Sequence, residues 1–210
     1  RKISNYRKLA LVYARLGEFD LQDKFSKQSL ELAIKQEDKQ ILFDAYMAVG
    51  YLYENHLTKT NSNKFKVEAE KNYLSALKLL EDYPYLNSPS NFGYVNINLA
   101  NLYYSNFDKT YRTKVQYHAK EALNSALKNN IQIQMAAAYG LLSEIETENK
   151  NYYQAKIYLN SALAQFKKSN NSQPEDHIYL NILMKLSEID ELEGNYKYAL
   201  FTYKEYIQKF

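Results

Sequence analysis

The chain has no cysteine and no tryptophan, and its 210 residues include only five glycines, three prolines and three histidines. The first absence excludes disulfides, zinc-thiolate sites and cysteine nucleophiles, and it suits the cytosol and the periplasm equally, so localisation stays unknown. Scarce glycine and proline leave too little punctuation for the many turns of a β-rich fold. No run approaches the roughly 18 consecutive apolar residues of a membrane span, so this segment is not expected to insert into a bilayer. Charge of one sign is lacking too: 27 basic and 24 acidic residues leave +3, and no strong field draws the chain to nucleic acid or an anionic surface. The sequence opens on Arg1, without a methionine and hydrophobic signal region, and reads as a piece of a longer protein.

Catalytic hardware is equally sparse. The glycines form no G-x-S-x-G, no phosphate loop and no dinucleotide fingerprint. His56, His118 and His177 are isolated, without the i, i+4 pairing of a helical metal site. The carboxylates of Glu188 and Glu191, or Glu144 and Glu148, sit one helical turn apart, which is first a solvated helix face. No metal, no cofactor and no enzymatic activity are therefore expected.

What is present is periodicity. Hydrophobic residues make up 46% of the chain and recur at intervals of three and four, the pattern of amphipathic helices. The stretch "LSEIETENKNYYQAKIYLNSAL" (Leu142 to Leu163) returns 44 residues later as "LSEIDELEGNYKYALFTYKEYI" (Leu186 to Ile207), each copy being two helices broken at Asn149-Lys150-Asn151 or Gly194-Asn195. "YRKLALVY" (Tyr6 to Tyr13), "YMAVGYLY" (Tyr46 to Tyr53) and "NINLANLY" (Asn96 to Tyr103) align with their first helices. The aliphatic anchors Leu9, Val49, Leu99, Leu142 and Leu186 are spaced 40, 50, 43 and 44 residues apart, a period at which repeat architectures occur. The long interval follows from an extra "HLTKTNSNKF" after Tyr53 and a proline-containing turn after Leu80. Breaks between hairpins are expected at Lys35 to Lys39, Tyr83 to Gly93, Leu127 to Asn130 and Lys167 to Asp176, rich in Asn, Ser, Pro and charge.

These residues resemble the tetratricopeptide repeat (TPR), whose pattern is W-x2-L-G-x2-Y, then A-x3-F, then P. Tyr46, Val49-Gly50 and Tyr53 match the first helix, while Ala69 with Tyr73, Ala155 with Leu159 and Ala199 with Tyr203 match the second. Ala10, Gly50, Ala100, Ser143 and Ser187 fill the small-residue slot where helices approach closely. Tryptophan is absent and the closing proline is missing from most copies. The resemblance implies an all-α fold, a right-handed superhelical array of about five TPR-like helix hairpins (an α-solenoid). As one repeat domain over 1–210, its repeats would run 3–36, 40–82, 92–129, 133–168 and 176–210. The many tyrosines then read first as repeat-core residues.

In that family the first helices line a concave groove. Positions two before, two after and five after each anchor share one helix face, giving Arg7, Leu11 and Ala14; Met47, Tyr51 and Glu54; Ile97, Asn101 and Tyr104; Gly140, Glu144 and Thr147; Met184, Glu188 and Glu191. Its middle, at Met47, Tyr51, Glu54, Ile97, Asn101 and Tyr104, offers adaptable apolar groups, aromatic anchors and an amide. Its C-terminal part offers Glu144, Glu188 and Glu191, suited to the basic end of a peptide. The lysine-asparagine clamp by which chaperone-binding members hold a carboxylate is missing, since Leu11, Glu144 and Glu188 stand on its face. The basic, aromatic-interleaved "FDKTYRTKVQYHAK" (Phe107 to Lys120) is the best nucleic-acid candidate, but Tyr117 and Ala119 are expected to pack, and no direct nucleic-acid binding is expected. The partner implied is a protein or peptide, with a homodimer as one option. A narrower resemblance is to the repeat region of bacterial regulators in which such an array precedes an output domain. It implies the sensor or regulatory region of a signalling or transcriptional regulator, on the cytoplasmic or periplasmic side; the alternative is a stand-alone scaffold or adaptor assembling a complex.

Overall fold

The structure, a computed structural model, describes residues 2–60, 63–105, 111–169 and 177–209. Its described residues form ten α-helices and no strand: α1 (Lys2–Leu16), α2 (Phe19–Ile34), α3 (Lys39–Thr60), α4 (Asn63–Asp82), α5 (Pro89–Tyr104), α6 (Arg112–Lys128), α7 (Gln132–Glu148), α8 (Tyr152–Lys168), α9 (His177–Leu192) and α10 (Tyr196–Lys209). They group into two compact units, residues 1–107 and 108–210. The first therefore holds α1 to α5 and the second α6 to α10, the boundary falling inside the third predicted repeat. Within each unit a helix packs chiefly on its neighbours in sequence, and alternate helices α1, α3 and α5, or α7 and α9, also meet.

The second helices explain why the chain folds this way. Offsets of 0, 4, 7 and 11 place four residues on one face, and Val115, Ala119, Ala122 and Ala126 in α6, like Ala155, Leu159, Ala162 and Phe166 in α8, are all buried there. In α4 the set begins Ala69, Tyr73, Ala76 and ends at Leu80. The small slots Ala10, Gly50, Ala100, Ser143 and Ser187 are buried as the sequence predicts. Gly50 shows why: a Cβ there would lie 2.6 Å from the Tyr73 ring.

Four turns share one construction. At Gly17, Asn130, Lys150 and Gly194 the backbone turns left-handed, with φ of 77°, 55°, 61° and 78°. The next amide then reaches back five residues, as from Glu18 to Tyr13 at 3.0 Å, Ile131 to Ala126 at 2.9 Å, Asn151 to Glu146 at 2.8 Å and Asn195 to Asp190 at 2.7 Å. Each closes the helix by satisfying an otherwise orphaned carbonyl. The proline turn is a 3-10 turn over Pro84–Leu86, after which the Ser88 hydroxyl accepts the Asn91 amide at 3.1 Å and starts α5. The extra residues after Tyr53 lengthen helices more than they make a loop, since α3 runs to Thr60 and α4 starts at Asn63. Part of the predicted break at Lys167 to Asp176 lies outside the described residues.

Three expectations are corrected. Leu9 is partly exposed, where Val49, Leu99 and Leu142 are buried, because α1 packs on α2 and α3 and no described helix lies against its other face. Tyr117 is exposed, since the α6 register turns Val115 and Ala119 inward and Tyr117 away. The tyrosines divide: Tyr53, Tyr73, Tyr103 and Tyr179 are core, while Tyr51, Tyr85, Tyr94, Tyr153, Tyr196, Tyr198 and Tyr203 are exposed.

Candidate interaction site

In the first unit α3 and α5 are neighbours, and the predicted face of each carries a graded set of side chains. Met47, Ile97, Asn101 and Tyr104 are half-buried, while Tyr51 keeps 52% of its surface exposed. Large aromatics held open beside partly buried apolar groups suit an anchor for a partner side chain. Asn101 lies one turn before the helix end, where its carbonyl accepts the Ser105 hydroxyl at 2.7 Å, and its side-chain amide has no hydrogen-bond partner among the described residues. Such an amide can pair with both the donor and the acceptor of an extended peptide bond.

Glu54 is part of the wall under this face. The Tyr73 hydroxyl donates to its carboxylate at 2.6 Å. Burial pushes the Glu54 carboxyl up to about 7, the Tyr73 bond opposing that rise only in part. Tyr73 itself is driven far above the ordinary phenol range by burial, with Glu54 and Tyr51 adding to the effect. Tyr51, Tyr73 and Glu54 thus form one electrostatic cluster whose charge changes near neutral pH. Tyr73 was not among the predicted site residues. Its signal was a bulky residue at the A-x3-F position facing Gly50, the repeat's one glycine slot, which puts its ring across α3 and its hydroxyl within reach of the next turn.

The acidic positions lie in the second unit. Glu144 is half-buried and ion-paired to Lys185, whose ammonium burial pulls below its ordinary value. Its charge is therefore largely spoken for. Glu188 and Glu191 are exposed. The basic stretch is also partly committed: Arg112 binds Glu148 at 2.9 Å and Asn149 at 2.8 Å, and Lys114 sits over the Tyr111 ring at 5.3 Å. Phe107 and Lys109 lie outside the described residues.

The histidines are in different settings. His56 is buried between Phe19 and Phe65, with centroids at 4.1 and 4.9 Å, and bonded to Gln22. His118 is buried beside Tyr117, and His177 is exposed at the start of α9. Among the described residues no three histidine, aspartate or glutamate side chains converge as metal ligands. No helix of the described residues is long and apolar enough to cross a membrane. A shallow depression on α4, lined by Val67, Lys71, Leu74 and Lys78, is made of aliphatic stems and solvated ammonium groups.

No family model matches the chain, and no curated protein matches it by sequence. Solved structures do. BtubC (BKLC) from P. vanneervenii superposes with a TM-score of 0.78 at 16% identity, over 99% of this chain and 79% of that one. The fold is a TPR-like helical repeat. The apo form of RapI is similar at a TM-score of 0.77 and 16% identity, over 100% of this chain and 70% of its own. At such identity the TPR-like likeness speaks for backbone architecture, and the site rests on the side chains described above.

Proposed function

We propose that the chain is a non-catalytic protein-interaction module that holds an extended peptide or protein segment on the α3–α5 face of its first unit. The observation that carries this reading is Tyr51, left open above the Tyr73–Glu54 pair and flanked by Met47, Ile97 and the Asn101 amide, which has no hydrogen-bond partner among the described residues. Apolar side chains of the ligand would lie on Met47 and Ile97, and Asn101 would fix its backbone. The finer assignment, a sensor or regulatory region of a bacterial signalling or transcriptional regulator, is supported by the style of the repeats; a scaffold that assembles a complex is the alternative.

The test is capture of a partner by the 210-residue chain, compared with a Tyr51→Ala, Asn101→Ala, Tyr104→Ala variant of unchanged helical circular dichroism. A partner held by the first and lost by the second supports the site. Equal capture by both moves the interface elsewhere. If a partner is found, its identity as an upstream signal or as one of several subunits bound together separates the regulator from the scaffold.

A further inference from the structure

Glu54 differs from other carboxylates that the first helices draw inside. Glu144 of α7 is answered by Lys185 of α9, and Asp190 of α9 by Lys156 of α8 at 2.7 Å. Glu54 of α3 has no cation against it among the described residues. From α4 only the Tyr73 hydroxyl bonds it, on Oε2 at 2.6 Å. Helix α5 carries no charged residue between Pro89 and Tyr104. In α2, Lys27 is tied to Asp23 at 2.7 Å, and the basic residues of α1 form no ion pair with Glu54. Within α3 itself, His56 turns to Gln22 of α2.

A half-buried carboxylate without a counter-charge costs stability, and burial holds this one at about 7. Glutamine would accept the Tyr73 hydroxyl without that cost. What the acid adds is a negative charge that becomes available near neutral pH. Its second oxygen, Oε1, accepts no bond within the described residues and is not sealed from solvent. Glu144, two after its anchor, meets Lys185, one before the next; the same register sets Glu54 opposite Asn101, each three positions further along. The Asn101 side-chain oxygen is a second acceptor there, and the open Tyr51 ring lies one turn before Glu54. A cation placed among the three meets a carboxylate, an amide oxygen and an aromatic face.

We propose that the segment docked on the α3–α5 face carries a lysine or arginine whose cationic head enters between Tyr51, Glu54 and Asn101, so that the face selects basic sequences with apolar flanks over neutral or acidic ones. This rests on the reading of that face given above and adds the class of side chain it recognises. Entry of the cation draws Glu54 into its ionised form and releases the proton it holds. Binding therefore strengthens as pH rises through about 7, while Tyr73 keeps its proton and the ligand's lysine or arginine keeps its charge.

The test is an array of hexapeptides built from Leu, Met, Tyr and Asn, with one position set in turn to Lys, Arg, Gln or Glu. Each is N-acetylated and amidated, so that no terminal charge stands in for the side chain, and each is probed with the whole 210-residue chain. At pH 8 the Lys or Arg members are expected to bind about tenfold tighter than their Gln counterparts. Lowering the pH to 6 should remove about tenfold from the cationic members alone, as an acid titrating near 7 requires. Glu54→Gln, which keeps the Tyr73 bond, should abolish both the preference and its pH dependence while still capturing the Gln members. Equal capture of Lys and Gln members by the wild type, or a preference that survives Glu54→Gln, overturns this inference and leaves the α3–α5 face standing. Capture unaltered in the Tyr51→Ala, Asn101→Ala, Tyr104→Ala variant, or an array that retains nothing, overturns both.

Discussion

The junction between the first two hairpins and the junction between the last two occupy the same repeat positions with opposite chemistry. In α8 the inward set is Ala155, Leu159, Ala162 and Phe166; in α2 it is Gln22, Ser26, Ser29 and Ala33, and all eight are buried. The polar version is held by specific bonds: Gln22 donates to the Leu52 carbonyl at 3.3 Å and pairs with His56 across the junction, and the Ser29 hydroxyl donates back within its own hairpin to the Ile3 carbonyl at 3.4 Å. The rung one residue on is also inverted. Asp23 of α2 accepts the Tyr53 hydroxyl, and Glu70 of α4 accepts the Tyr103 hydroxyl at 2.7 Å, whereas α8 supplies a cation, Lys156, to Asp190 and to Glu193 at 2.8 Å. The lesson is that the repeat geometry fixes where a contact is made and leaves open whether it is apolar, neutral or ionic, provided that most buried polar groups find partners.

The two inward sets are the strongest place to break this comparison. Leu159→Ala is expected to destabilise by about 2–5 kcal/mol through the cavity it leaves, read by urea denaturation. Gln22→Ala, which removes less volume but two buried hydrogen bonds, is expected to destabilise by about 1–3 kcal/mol. Ser26→Ala should stabilise by about 1 kcal/mol, since the Ser26 hydroxyl has no hydrogen-bond partner among the described residues. An equal loss from Ser26→Ala and Gln22→Ala would mean that shape, not hydrogen bonding, governs the polar junction.

Next in size is the pH dependence introduced by Glu54. Its carboxyl is held at about 7 against an ordinary 4.5, so the folded chain keeps a proton that the unfolded chain has already lost. Its contribution is complete below the unfolded value, declines as pH rises and is gone above about 7. Glu54→Gln should flatten stability between those values and raise it at pH 8 by about 2 kcal/mol, allowing for partial exposure. Melting temperature against pH reads both effects, and a variant with the wild-type slope would remove Glu54 as their source.

The rungs sharpen the comparison at about 1 kcal/mol each. Tyr53→Phe should cost about 1 kcal/mol independently of salt. Lys156→Ala should cost a similar amount at low ionic strength, shrinking as salt screens the pair. The same salt response in both would refute the neutral-versus-ionic distinction. Smallest is the turn pair: Lys150→Gly should gain a few tenths to about 1 kcal/mol by relieving a left-handed side-chain conformation, and Gly194→Ala should lose about as much.

Much of this fold was legible from residues. The small slots announced close helix approach, the breaks named at Asn149-Lys150-Asn151 and Gly194-Asn195 hold the left-handed turns at Lys150 and Gly194, and the doubled phrase at Leu142 and Leu186 carried the register. The first hairpin was harder to read, because Gln22, Ser26 and Ser29 erase the apolar count on which periodicity depends. Aligning them at offsets 0, 4, 7 and 11 with Ala155, Leu159, Ala162 and Phe166 would have exposed the shared face. Of the candidate site, spacing placed Met47, Tyr51, Ile97 and Asn101 on one face of neighbouring helices. It could not show that Glu54 is taken by Tyr73 or Glu144 by Lys185, since both depend on partners that meet only after packing.

The helices α3 and α4 are longer than their counterparts, at 22 and 20 residues, and this carries a practical meaning. A stack of hairpins grows in one direction by adding hairpins and in the perpendicular direction by adding helical turns, so surplus sequence at a hairpin tip displaces no neighbouring pair. The ring stack of His56 on Phe65 braces the base of this extension. The tip between α3 and α4 is accordingly a natural port for inserting an epitope, a fluorophore or a second domain while the register of every other hairpin is left unchanged.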